Sequence, residues 1–194
     1  MANPEHLAKL REGPGAWNRW REEHAVVLEL SQANLPGANL GMANLRGADL
    51  RRSFLGGGNF MAANFVGADL SGANFIRADF QLANLGGANF IGADLHGAYL
   101  GQANLAGAHL MRCDLVRTNL VGADLRKANL DKATLLNTIF GDTDLSEAMG
   151  LDTCGHLGPS TVDHRTLGKS GLSPSRFSEV VAFLTYLTTT CRHS

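Results

Sequence analysis

The sequence predicts an all-β solenoid with short α-helical segments at both ends, and three observations predict it. A large apolar residue recurs at every fifth position over most of the chain, a small residue stands two places before each, and most of the 23 glycines fall within the two places after. Self-similarity at a short fixed period marks stacked repeats, in which each unit buries its apolar side only against its neighbours.

The period of five decides between local templates. From Leu35 to Leu145 every residue whose number is a multiple of five is Leu or Phe, 23 positions in succession. An α-helix would spread these residues around its surface, because five residues advance by about 500°. A continuous strand would send successive ones to opposite faces. A short extended step followed by a corner fits. In Ala-Asn-Leu, Ala and Leu share one side and Asn takes the other. Ala is the small residue in 17 of the 23 units, replaced elsewhere by Ser53, Gly58, Cys113, Thr118, Thr138 and Thr143. Gly at the second place after the large residue, as at Gly37, Gly67 and Gly107, permits the positive φ of a tight corner. Asn or Asp in the middle place suits side-chain-to-backbone bonds there. The expected core is Leu35, Leu40, Leu45, Leu50, Phe60, Phe65, Leu70, Phe75, Phe80, Leu85, Phe90, Leu95, Leu100, Leu105, Leu110, Leu115, Leu120, Leu125, Leu130 and Phe140.

Tandem A-[DN]-L-x-x units resemble the pentapeptide-repeat proteins, and the resemblance covers about 115 of the 194 residues. It implies a right-handed quadrilateral β-helix with four units per coil, so that 23 units make about six coils. At a strand spacing of about 4.8 Å the rod is about 28 Å long. The chain then divides into an N-terminal helical cap, residues 1–30, a repeat β-helix, 31–150, and a C-terminal cap or dimerisation segment, 151–194.

Both flanks read as covers for stack ends that would otherwise pair with other chains. Asn3-Pro4-Glu5 offers a cap, a first-turn proline and an acidic first turn, opening a helix with Leu7 and Leu10 inward. Gly13-Pro14-Gly15 interrupts it, and a second stretch, Ala16 to Glu23, lays Trp17 and Trp20 over the first coil near Leu30 and Leu35. After Leu145 the pattern stops. Ser160-Thr161-Val162-Asp163 reads as a capping box with Asp in place of Glu. Ser173-Pro174 opens a longer helix whose stripe, Phe177, Val180, Val181, Leu184 and Leu187, suits a cap on the last coil or a homodimer seam.

No catalytic residue, cofactor or metal is expected. The chain has no GxxxxGK[ST], GxSxG or HExxH sequence. A twenty-residue coil stacks Asp49 on Asp69, Asp94 on Asp114 and Asp124 on Asp144, but along an outer wall, where carboxylates are structural or solvated. Cys154-Gly-His156 and Asp163-His164 hold ligand types without a zinc spacing. Three cysteines without a CxxC pair suit a reducing compartment. The charged N-terminus and the lack of an 18-residue apolar run point to a cytoplasmic chain with no membrane contact.

The expected function is therefore a non-catalytic scaffold that meets an unidentified protein partner through its outer walls. Folding the sequence by twenties stacks Ile76, His96, Val116 and Leu136 as a ladder, which with Phe177, Val181 and Leu184 makes up the candidate interaction residues. The resemblance raises two further readings: a module of a longer bacterial effector or signalling protein, and a DNA-mimicking protector of a type II topoisomerase. Mimicry requires a strongly negative rod. Residues 31–145 carry nine Asp, no Glu and nine basic residues, so the rod is neutral, and direct nucleic-acid binding is not expected either.

Overall fold

The computed structural model describes residues 1–171; Phe177, Val181, Leu184 and the helix expected around them lie outside the described residues. Helix α1, Pro4–Arg11, starts where Asn3 accepts the N–H groups of Glu5 and His6 on its side chain, with Pro at its first turn. Leu10 is buried as expected, while Leu7 is only partly so. Helix α2, Pro14–Glu23, starts from Gly13 at φ 95°.

Helix α2 closes part of the first coil with side chains in place of a strand. Asn18 Nδ2 donates to the Met42 carbonyl, and Asn18 Oδ1 accepts the Asn44 N–H at 2.8 Å. Trp17 Nε1 donates to the Asn44 carbonyl at 2.8 Å, and its ring is fully buried. Trp20 lies between Trp17 and His24, at centroid distances of 5.3 and 4.8 Å. These side chains satisfy backbone groups that the preceding coil satisfies elsewhere in the stack.

From Glu29 to Met149 residue n pairs in parallel with residue n + 20, without a skip. Two bonds hold each step: Leu45 N–H donates to the Asn64 carbonyl and Asn64 N–H to the Ala43 carbonyl. Each extended step then ends in a four-residue turn, closed in one instance by Ala43 N–H to the Leu40 carbonyl at 3.0 Å. Positive φ falls on the third turn residue, 60° at Met42 and 65° at Gly47, which marks a type II turn. Four such steps complete a coil, giving four walls. Their middle residues run Asn34, Phe54, Asn74 on the first wall, Asn39, Asn59, Asp79 on the second, Asn44, Asn64, Asn84 on the third and Glu29, Asp49, Asp69 on the fourth.

The interior is a dry column. Leu35 is 9% exposed and Leu40 3%, and the other expected core residues are 1% exposed or less. Each buried Leu or Phe contributes about 1.5–3 kcal/mol before chain entropy. The phenylalanines gather in the N-terminal half; Phe60 and Phe80, one coil apart, stack at 4.9 Å. Where the small residue is Thr118, Thr138 or Thr143, its hydroxyl donates to a carbonyl of the coil below: Leu95, Leu115 and Leu120. The polar atom is therefore satisfied inside the apolar column.

Pairing continues past the last repeat with its register lengthened. Strand β1, Thr134–Leu135, pairs with β3, Gly155–His156, and β2, Ile139–Phe140, with β4, Thr161–Val162. The offset grows from 20 residues to 21 and then 22. Helix α3, His164–Lys169, follows, and its cap is Asp163, whose side chain accepts the Thr166 N–H. The expected cap at Ser160 is corrected. Ser160 is buried, and its hydroxyl oxygen is occupied by the Thr138 N–H at 3.3 Å.

Candidate interaction surface

The walls are stiffened by their own middle residues. In most units the Asn or Asp Oδ1 accepts the N–H two residues on, as Asn64 does from Val66 and Asp94 from His96. The same side chains also bond along a column: Asn59 Nδ2 donates to Asn39 Oδ1 and Asn104 Nδ2 to Asn84 Oδ1, both at 3.2 Å. These amides are structural, and they leave a flat surface whose variation lies at the corners.

Two of the three stacked carboxylate pairs are bridged by arginine. Arg51 binds both oxygens of Asp49 at 2.8 Å and reaches Asp69 at 3.9 Å. Arg126 repeats the arrangement on Asp124, with Asp144 at 3.8 Å. The arginine hydrogen bonds hold the Asp49 and Asp124 carboxyls below their usual range. Both carboxylates are therefore charged structural partners, unsuited to giving up protons near neutral pH. Sequence reasoning stacked these carboxylates but missed the arginines; the signal was Asp-Leu-Arg at 49–51 and again at 124–126.

The remaining charges are segregated. Among the described residues six of the nine cations in residues 31–145 make no ion pair: Arg46, Arg52, Arg77, Arg112, Arg117 and Lys132. All but Arg46 flank the first wall, with Arg52, Arg112 and Lys132 at one corner and Arg77 and Arg117 at the other. The first wall with its two corners, from Ser31 to Asn137, carries six cations and three carboxylates. The second and third walls with the corner between them carry four Asp, no cation, and the exposed side chains of Met42, Met61, Leu82, Tyr99 and Val121. Three of those four Asp are paired, Asp124 and Asp144 with Arg126 and Asp142 with Lys169, so a neutral total hides one wall with unpaired positive charge.

The Ile76, His96, Val116 and Leu136 ladder lies at the corner shared by the first and second walls. Its backbone is in register, with Arg77 N–H to the His96 carbonyl and Arg117 N–H to the Leu136 carbonyl. Ile76, His96 and Leu136 are half-buried, and Val116, between two of them, is 7% exposed. Phe54, exposed on the first wall, was not singled out by the sequence because the middle place is otherwise mostly polar.

Other chemistry-bearing groups are absorbed by the fold. Cys113 donates its thiol to the Phe90 carbonyl, and burial pushes its pKa up to about 12; Cys154 is raised to about 12 by the same cause. Among the described residues no three His, Cys, Asp or Glu side chains form a metal-binding group, and no helix is long and apolar enough to cross a membrane. His6, unnoticed in the sequence, is buried in the N-terminal cap, where its Nδ1 accepts the Glu29 N–H at 3.2 Å.

Five-residue steps, a dry Leu/Phe column and Asn-stiffened walls define a stacked-repeat protein whose variable surface is external. The family profile described as pentapeptide repeats matches eight copies, over residues 29–52, 59–97, 93–131 and 108–147, which is more than half of the chain. The chain belongs to the pentapeptide repeat family.

Among solved structures the chain is similar to a pentapeptide repeat protein of the cyanobacterium Cyanothece 51142, at 28% identity over 56% of this chain and 85% of that one, TM-score 0.48. It is similar to a trypsin-treated form of QnrB1, a plasmid-mediated fluoroquinolone resistance protein, at 19% identity over 80% and 90%, TM-score 0.47. A pentapeptide repeat protein from the Arabidopsis thaliana thylakoid lumen is 24% identical over 71% and 77%, TM-score 0.34. No curated protein matches it.

Proposed function

We propose that this protein is a non-catalytic scaffold, a right-handed rod of about six coils that recognises a protein partner through an outer wall. The observation that carries the reading is the Ile76–Leu136 ladder, in which half-buried Ile76, His96 and Leu136 and the nearly buried Val116 follow one another in consecutive coils beside the first wall. Contiguous apolar surface on a rigid frame is where partners dock, whereas scattered apolar residues mean little. The frame is suited to the task, because its amide columns and dry core stay unchanged while the corner residues vary.

Replacing the two half-buried apolar rungs, Ile76→Ser with Leu136→Ser, tests it without hollowing the column. Partner capture from the native host and sedimentation of the pure protein are the measurements. Loss of a captured protein or of self-association supports the reading; no change in either sinks it. Mimicry of DNA is disfavoured by the balance of nine carboxylates and nine cations, and the wall with the greatest unpaired charge is positive.

A further inference from the structure

We propose that the first wall receives an acidic amphipathic helix of a partner protein, lying along the rod axis; this deepens the reading of the ladder as a docking strip and rests on it. The first observation is the placement of unpaired charge. Five of the six cations without an ion pair among the described residues stand at the two corners of this one wall. Nothing in the described fold uses their charge, whereas Arg51 and Arg126 are taken up by Asp pairs.

Their backbone setting is the second observation. Arg52, Arg77, Arg112, Arg117 and Lys132 all sit at φ between 55° and 58°, a region disfavoured for residues with a side chain. Gly occupies the same place at Gly57, Gly72, Gly92 and Gly97. In two places a cation precedes a glycine: the Arg52 stem runs over Gly72 and the Arg77 stem over Gly97, each Cγ 3.5 Å from where a Cβ would stand. Glycine in the next coil gives these two stems room to lie along the rod. Both rows are left without ion-pair partners among the described residues.

The spacings select the occupant. Arg77 and Arg117 are two coils apart, about 10 Å, close to the rise of two turns of an α-helix, about 11 Å. Five residues separate the rows, at most about 18 Å of chain, which leaves width for a helix about 10–12 Å across. Beside the rows run Ile76, His96, Val116 and Leu136, with exposed Phe54 on the wall itself. A helix with Glu or Asp at i and i+7 and an adjacent apolar stripe meets both features. Asp94 and Asp114 stand in the middle of the wall, between the rows; a helix avoids them by keeping its carboxylates over the corner rows, whereas a duplex carries phosphates along its whole length and fits worse.

Fluorescence anisotropy with a labelled helical Glu/Leu peptide, its Lys/Leu counterpart and a 20-nucleotide duplex decides the matter. The intact protein is expected to bind the Glu/Leu peptide and to prefer it to both other probes. Arg77→Glu with Arg117→Glu is expected to weaken that binding about tenfold or more. Arg46→Glu, an unpaired cation on a distant corner, leaves it unchanged, and circular dichroism melting confirms that each variant folds. Equal or tighter binding of the duplex or the Lys/Leu peptide overturns the inference, as does Glu/Leu binding that survives the double reversal. Host-partner capture that is lost with Ile76→Ser and Leu136→Ser but kept with the arginine reversals overturns it too, while leaving the docking-wall reading in place.

Discussion

Gly58 stands where 17 counterparts are Ala, and its surroundings explain the exception. A Cβ there would lie 2.6 Å from Phe60 Cε2 and 3.0 Å from the Leu55 carbonyl oxygen. Gly58→Ala is therefore expected to destabilise the protein by about 1–3 kcal/mol in denaturant titrations, and adding Phe60→Leu to recover part of the loss. An unchanged midpoint for Gly58→Ala would contradict the packing described. The small–polar–large pattern was legible in the sequence because it repeats 23 times. The reasons for its exceptions were not, since they lie in contacts between units, such as the threonine hydroxyls that reach carbonyls 23 residues earlier. Burial also makes a chemical prediction. With both pKa values raised to about 12, Cys113 and Cys154 are expected to resist a thiol reagent at pH 8 until the chain unfolds, because the thiolate is the nucleophile. A Cys191→Ser variant isolates these two; rapid native-state labelling would refute it.

At the scale of elements, the ends are where sequence and structure part. Ser160-Thr161-Val162-Asp163 was a recognisable capping sequence, but four-residue patterns do not reveal that Ser160 serves the coil below while Asp163 caps α3. Nor did any side-chain period announce that pairing continues after Leu145, since the offset lengthens there and irregularly spaced side chains, Thr153, Ser160, Asp163, Thr166 and Ser170, share the pairing with backbone carbonyls. Asp163 accepts the N–H groups of Thr166 and Asp142, and these bonds hold its pKa down at about 2. A carboxyl depressed from its ordinary value of about 3.9 stabilises the fold fully above that value and loses the contribution as pH falls towards 2. Protection of the Asp142 and Thr166 amides, taken relative to the intrinsic exchange rate at each pH, is expected to fall between about pH 4 and pH 2, and Asp163→Asn to remove that dependence. At the other end, Asn18→Ala leaves the Asn44 N–H and Met42 carbonyl without the amide that completes the first coil. The expected loss is about 1–3 kcal/mol, read as a lowered melting temperature; Asn18→Asp keeps the acceptor but lacks the Nδ2 donor and should fall between.

For the whole molecule, the core is indifferent to which wall a unit belongs to, but the surface is not. Every unit presents a Leu or Phe inward, so a five-residue deletion preserves the column and turns everything after it by one wall. Deleting residues 101–105 would carry Arg112 and Lys132 away from the first wall and move Arg117 across it to the Arg52 row, so that Arg77 stands alone at its corner. Deleting residues 56–75 removes one full coil, returns each of these five cations to its own column and keeps Arg77 and Arg117 two coils apart. Both shortened chains are expected to melt cooperatively with a β-rich circular dichroism spectrum, since each contact is with a neighbouring coil. Recognition should separate them: the five-residue deletion is expected to lose binding of the Glu/Leu peptide and the twenty-residue deletion to keep most of it. Equal binding by the two would show that an end of the rod, rather than a wall, makes the contact.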